Sequence, residues 1–236
     1  MSSNTVSRVR RSQFERVARA DVERLAAFST SVIGDALGRR CSLGPSIQPC
    51  TTATSFAGPA LTIKCSAGDN LAALVALSAI QPGDVLVIAC NRSTEAAVAG
   101  GNYVALAKSR GAVAVVTDGL IRDCDELDNL SVPVFAAGMT PNGPFKTGSG
   151  EIGLPVAVGD AVIAGGDMVV GDRDGVIVVT RCQVREAVEG ASVVQAREIA
   201  TIETNKSGKL PDWLERLIRE TPVHDIDEGL AKKLQS

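Results

Sequence analysis

Apolar positions along the chain change period several times, and each change marks an element. In 12–28 (SQFERVARADVERLAAF), Phe14, Val17, Val22, Leu25 and Ala26 recur at helical spacing with charges opposite, and Ser12 is a candidate N-cap. Ser29, Thr30 and Ser31 lead into VIGDALGRR, a second short helix capped by hydroxyls and ended near Gly38. Residues 41–58 are rich in Ser, Thr, Pro and Gly and read as an irregular connection.

A regular middle follows. Residues 61–65 read as a strand, Ser66-Ala67-Gly68-Asp69 as a turn, 70–80 as a helix, and 85–90 as the next strand after Gln81-Pro82-Gly83-Asp84. Residues 95–110 read as a helix ended by Gly111, and 112–117 as a third strand. Strands alternating with helices predict right-handed β-α-β units. Beyond 123–130, short apolar runs at 132–136, 154–158, 161–163, 168–170 and 176–180 are separated by Gly, Pro and Asp turns. They predict a mainly antiparallel sheet packed on the first part. Helices are expected at 183–205 and 211–220, the second opened by Pro211. The organisation read here is a flexible arm 1–11, one α/β domain with flanking helices over 12–205, and a helical extension and tail over 206–236.

Composition narrows the function classes. Apolar residues are 45% of the 236, but aromatics only 3%, so the core relies on small and β-branched side chains, as buried parallel strands do. The net charge of −3 gives no electrostatic case for nucleic acid, and Arg8, Arg10 and Arg11 form only a short basic cluster. No apolar run reaches the ~18 residues of a membrane span, and the polar N-terminus lacks a secretory stretch, so no membrane association is expected. Cys41, Cys50, Cys65, Cys90, Cys124 and Cys182 include no Cys-x-x-Cys pair and read as reduced thiols of a cytoplasmic protein. The single histidine, His224, lies in the tail, which counts against Cys-His, Ser-His-Asp and histidine-metal chemistry.

Chemistry concentrates in Asp118-Gly-Leu-Ile-Arg122-Asp123-Cys-Asp-Glu126, directly after the strand at 112–117. Ligands of open α/β sheets bind beyond the carboxyl ends of parallel strands. There an Arg can hold a carboxylate or enolate oxygen, and an Asp a hard cation; the plainer reading is acidic residues complementing a helix dipole. Gly100-Gly101 within the expected 95–110 helix mark close backbone approach, or a helix that begins near Gly101 and offers free N–H groups to an anion. In Gly68-Asp69-Asn70, either polar residue can cap the following helix. Gly165-Gly166-Asp167 and 171–175 (GDRDG) read as turns. No phosphate loop or dinucleotide fingerprint is present.

From 58 to 180, with 30–39 before it, the chain resembles the RraA-like family, which holds class II 4-hydroxy-4-methyl-2-oxoglutarate/4-carboxy-4-hydroxy-2-oxoadipate aldolases and RraA regulators of ribonuclease E activity. The resemblance rests on Gly-Asp-Ala-Leu-Gly at 34–38, Gly-Pro-Ala at 58–60, Gly-Asp-Asn at 68–70 and Pro-Gly-Asp-Val at 82–85. Val-Val-Thr-Asp-Gly-Leu-Ile-Arg-Asp at 115–123, Pro-Val-Phe-Ala at 133–136 and Gly-Asp-Arg-Asp-Gly-Val at 171–176 complete it. In the aldolase pattern a Gly is followed by twenty residues, then Arg-Asp, two more residues, and Glu or Asp; Gly101, Arg122-Asp123 and Glu126 match. The resemblance implies a swivelling three-layer β/β/α domain, trimers or hexamers with sites between subunits, and cleavage of a 4-hydroxy-2-oxo acid to pyruvate through an enolate. Oxaloacetate decarboxylation would pass through the same enolate. It implies that Asp123 ligates Mg²⁺ or Mn²⁺, largely with waters, and that Arg122 contacts the oxo acid. Backbone N–H groups around Gly101, Asn102, Tyr103 and Val104 would hold its carboxylate. A neighbouring subunit's glutamate would complete the site, Glu198 being the better match and Glu203 the alternative. Asn102 stands where the family often has an acidic residue, and 91–94 and the chain from 183 onward differ most. The non-enzymatic alternative is an RraA-type regulator; a quinone-precursor methyltransferase lacks a cofactor loop.

Overall fold

A computed structural model describes residues 8–223. The first part of the expected arm, the end of the tail and His224 lie outside the described residues. Two compact units make up the chain, dividing between Val194 and Gln195, short of the boundary at 205 drawn from the sequence.

The first unit opens with β1 (Val9–Arg11), α1 (Arg19–Leu25), α2 (Thr30–Ala36) and β2 (Gln48–Pro49), then enters the alternating part. There β3 (Phe56–Cys65), α3 (Leu71–Ala76), β4 (Val85–Ala89), β5 (Ala97–Ala99), α4 (Gly101–Ser109), β6 (Ala114–Thr117), β7 (Leu120–Ile121), α5 (Cys124–Leu130) and β8 (Val134–Ala136) follow in turn. After β9 (Gly138–Met139), the strands β10 (Gly150–Ile152), β11 (Val156–Val158), β12 (Ala161–Ile163), β13 (Met168–Asp172) and β14 (Gly175–Val179) precede α6 (Val184–Lys206). The main sheet runs β1-β10-β3-β4-β6-β8-β2, with β3, β4, β6 and β8 parallel. β3 also bends out of it, pairing its first half with β13 antiparallel.

Strand β4 shows why the domain has three layers. All five of its residues are buried, and successive side chains point to opposite faces. Leu86 and Ile88 face a cluster with Ala72, Ala76, Val104 and Leu127 of α3, α4 and α5. Val85 and Val87 face Leu43, Ile47, Val156, Ile163 and Val169, under the second, antiparallel β layer. The outer side of β13 and β14 is covered in turn by Leu25, Ile33, Val184 and Val188 of α1, α2 and α6. This is the expected β/β/α arrangement, and no helix among the described residues is long and apolar enough to cross a membrane.

Four expectations are corrected. Val9–Arg11 is not free arm but a strand paired in parallel with β10. Of 12–28 only Arg19–Leu25 is α-helix; the chain before it is tied down as Phe14 packs on Gly153 and Gly165 and Arg16 reaches buried Asp84. The helix drawn over 95–110 starts at Gly101, because Ala97, Val98 and Ala99 are all buried in a strand paired with β7. The run at 132–136 joins the parallel sheet beside β6, since α5 provides the crossover that returns it in the same direction. The second unit holds the rest of α6 and α7 (Asp212–Glu220), with Pro211 at the N-cap.

Candidate active site

A small parallel sheet, β5-β7-β9, lies just beyond the carboxyl ends of β4 and β6 and sets the site. The Arg122 N–H donates to the Ala99 carbonyl at 3.1 Å, placing Arg122 and Asp123 beside Gly100 and Gly101. Asp123 adopts a left-handed conformation (φ 62°), a strained backbone that Asp tolerates better than most residues. Although it stands at the N-cap of α5, its side chain turns away from that helix. Its Oδ2 accepts from Gly101 N–H at 3.1 Å and lies 3.4 Å from Arg122 Nε, while Oδ1 has no partner among the described residues.

The two glycines are required by this crowding. A Cβ on Gly100 would stand 2.5 Å from Asp123 Oδ2 and 2.9 Å from Arg122 Cγ, and one on Gly101 would collide with the Glu126 carboxylate. Gly100→Ala is therefore expected to cost about 1–3 kcal/mol by overpacking and to lower activity at least tenfold by moving Arg122 and Asp123. The control is Gly34→Ala on α2, where an added Cβ meets nothing within 4 Å and about 0.5–1 kcal/mol should be gained. Urea midpoints of both variants check the pair.

A cavity of about 250 Å³ opens in front of these residues, walled by Asn70, Leu74, Asn102, Tyr103, Arg122 and Lys146 among others. Gly101 N–H is engaged by Asp123, and Val104 N–H by the Gly100 carbonyl at 3.0 Å, with the Val104 side chain buried in the core. That leaves the Asn102 and Tyr103 N–H groups without a hydrogen-bond partner among the described residues, at the positive end of α4. Tyr103 is buried, donates its hydroxyl to the Ala73 carbonyl at 3.2 Å, and has its ionisation pushed upward by burial, so it remains a neutral wall. Asn70 donates from Nδ2 to the Val98 carbonyl at 3.2 Å, which leaves its buried Oδ1 as an unpartnered acceptor.

Asn70 and Lys146 as cavity residues were not found from the sequence. Asn70 read only as a possible cap, and Lys146 sits in a Gly/Pro-rich loop whose sole signal is an isolated lysine. Lys146 is solvent-exposed and makes no ion pair among the described residues. Asp118, by contrast, is buried beneath the site: its carboxylate accepts from Cys90 N–H at 2.5 Å and Arg92 N–H at 3.0 Å. Burial raises its ionisation against those bonds, and its work is to hold the turn in which Asn91 and Arg92 are left-handed. The six cysteines are all free. A cavity of about 280 Å³ near α2 and β14 is lined by Thr30, Asp35, Arg39 and Asp174, but its arginine is already bound to Asp35 at 2.8 Å.

The described residues hold no cluster of three or more His, Cys, Asp or Glu side chains spaced for a metal. The part-exposed Asp123 with Oδ1 unused still fits a small hard cation, which commonly keeps most of its waters and takes one or two carboxylates. Glu198 and Glu203 lie in the second unit, exposed on α6; Glu203 pairs with Lys206 at 2.7 Å, whereas Glu198 has no ion pair among the described residues.

Fold and site together define an α/β protein with an arginine, a strained aspartate and a glycine-opened helix around one cavity at strand ends. The chain belongs to the RraA-like family (Aldolase/RraA), which it matches over residues 30–178. A protein of Halalkalibacterium halodurans, provisionally named a 4-hydroxy-4-methyl-2-oxoglutarate aldolase, is 35% identical over 187 residues, covering 78% of this chain and 89% of its own. The RraAS2 protein of Streptomyces coelicolor, described as an unusual member of the RNase ES inhibitor RraA family, superposes with a TM-score of 0.70 at 27% identity. That match covers 80% of this chain and 100% of the other. A protein of Pseudomonas syringae shares the fold with a TM-score of 0.73 at 24% identity, covering 84% of this chain and 97% of its own.

Proposed function

We propose that the protein is a metal-dependent lyase that cleaves a 4-hydroxy-2-oxo acid to pyruvate, and that the same site decarboxylates oxaloacetate. The observation that carries this is the convergence of Arg122, Asp123 and the open start of α4 on one cavity. The free Asn102 and Tyr103 N–H groups receive the substrate carboxylate, as helix N-termini receive anions. The Arg122 guanidinium binds the 2-oxo oxygen, and Lys146 adds a second positive charge on the cavity wall. Breaking the bond beyond C3 leaves an electron pair that delocalises into the pyruvate enolate, whose oxygen Arg122 holds more tightly than the starting ketone. Asp123 would hold Mg²⁺ or Mn²⁺, which supplies Lewis-acid polarisation of the oxo group. Glu198 from a neighbouring copy takes the 4-hydroxyl proton as that carbon becomes a carbonyl and returns a proton to C3 of the enolate to give pyruvate; its freedom from ion pairing among the described residues supports this over Glu203. Exposed Ile199, Ile202, Trp213, Leu217 and Ile218 in the second unit support packing of α6 and α7 against another subunit in a trimer or hexamer.

Pyruvate release from 4-hydroxy-4-methyl-2-oxoglutarate and from oxaloacetate, with Mg²⁺, Mn²⁺ or EDTA, tests the reading. Turnover should need the metal and fall at least about 100-fold in Asp123→Ala. Turnover unaffected by EDTA and by that variant would sink it. The likeness to RraAS2 favours a second reading, a ribonuclease regulator acting through its surface, which a folded protein without turnover on any metal would support.

A further inference from the structure

We propose that Asp69 is a positioning residue that clamps the loop at 144–148, and through it Lys146, over the Arg122 cavity. Between β9 and β10 the loop is first tied down by Thr140 N–H to the Ile121 carbonyl at 3.0 Å and by Ala97 N–H to the Asn142 carbonyl at 2.9 Å. Further along, the turn at 68–70 takes over. Phe145 N–H donates to the Gly68 carbonyl at 2.8 Å, and Asn70 N–H to the Phe145 carbonyl at 3.0 Å. Asp69 Oδ2 accepts from both Thr147 N–H at 2.7 Å and Gly148 N–H at 2.8 Å. Lys146 is thus bracketed by two residues that the turn holds.

Apolar packing of Phe145 does not hold this segment, because that residue is 74% exposed. The clamp is polar, and Asp69 is its centre. Asp69 is buried (6% exposed), and its other carboxylate oxygen accepts from Leu71 N–H at 2.8 Å, the start of α3. One side chain therefore ties the helix that presents Leu74 to the loop that presents Lys146, without itself lining the cavity. The approach is tight: a Cβ on Gly148 would stand 2.8 Å from Asp69 Cγ. Burial alone would raise the ionisation of this carboxyl, but the three backbone N–H groups and Lys146 outweigh it and keep the group anionic. The value of Lys146 to a ligand rests on the oxo-acid reading above, whereas the clamp does not.

Amide hydrogen exchange on the full chain tests the clamp without a ligand. Asp69→Asn puts an NH₂ or a single acceptor where two N–H groups converge, and should speed exchange across 144–149 about tenfold or more while β4 is unchanged. Gly148→Ala, which pushes on the clamp from the loop side, should do the same and stands in if Asp69→Asn does not fold. Unchanged exchange at 144–149, or a rise spread equally over β4, overturns the proposal. Positioning is then read from a cycle on KM and kcat for pyruvate release, with oxalate binding as the second readout. Asp69→Asn should raise KM, and should add less than about twofold when Lys146 is already Ala. Fully additive effects overturn the link to Lys146. Wild-type protein that neither turns over nor binds oxalate overturns the oxo-acid reading and the role of Lys146, while exchange still decides the clamp.

Discussion

Arg122→Ala should lower kcat/KM for pyruvate release by about 100- to 1,000-fold, mostly in kcat, while the melting temperature stays within about 2 °C. The size follows from removing a preorganised charged donor from the oxygen on which negative charge accumulates in the transition state. The small stability effect follows from the side chain's setting. Arg122 is 41% exposed, and among the described residues its side chain makes one ion pair, the 3.4 Å approach to Asp123, while passing close to Gly100 and Gly143, where a Cβ would meet Cγ and Nη1 at 2.9 Å. Arg122→Lys should recover only part of the loss, because an ammonium cannot present the planar fork that grips two oxygens. Asp123→Ala with Arg122→Ala should fall well short of the product of the single losses, since the two side chains touch and share one ligand. Steady-state kinetics beside thermal melts give the comparison. Full activity in folded Arg122→Ala would remove the lyase reading.

Part of the candidate site was legible in the sequence because those parts are local. Arg122, Asp123 and Glu126 sit within one short run after a strand, and Gly100-Gly101, unfavourable inside a helix, pointed to close backbone approach or a helix start. The structure shows both: α4 begins at Gly101, and the carboxylates of Asp123 and Glu126 fill the space that two β-carbons would take. What stayed hidden depends on contacts distant in sequence. Lys146 reaches the cavity only because a long loop is pinned by the turn at 68–70, and nothing in its own neighbours encodes that pairing. The same holds for β5, where Ala97-Val98-Ala99 continues an apolar helical pattern and only pairing with β7 makes it a strand. Short-range periodicity cannot separate a three-residue buried strand from a helix start. The β-α-β units and an antiparallel sheet packed on them were readable from the alternating elements, and the three-layer arrangement from the family resemblance, whereas the parallel placement of β8 required seeing α5 as a crossover rather than as an acidic run at a helix start.

Arg16→Ala should destabilise the fold by about 3–5 kcal/mol, lowering the melting temperature by about 6–20 °C, with kcat unchanged below the transition. Asp84 is fully buried just before β4, and its carboxylate is matched by Arg16 Nε at 2.7 Å and Nη2 at 2.9 Å, with Gln81 N–H at 2.8 Å. The Arg16 guanidinium also lies 4.6 Å over the Phe14 ring and reaches toward the Ala79 carbonyl at 3.4 Å. Removing the arginine strands a charge in the protein interior, which costs far more than the pair contributes by being there. Hence the double variant Arg16→Met/Asp84→Leu should be more stable than Arg16→Ala, because it takes away the orphaned carboxylate along with its partner. The cycle also tests how the N-terminal segment is used. If 12–18 were a loosely attached helix, Arg16→Ala would shift the urea midpoint by no more than an exposed ion pair does, about 0.2–1 kcal/mol. A large, coupled effect would establish that this extended segment is part of the core that carries β4, and through β4 the strand ends on which the site is built.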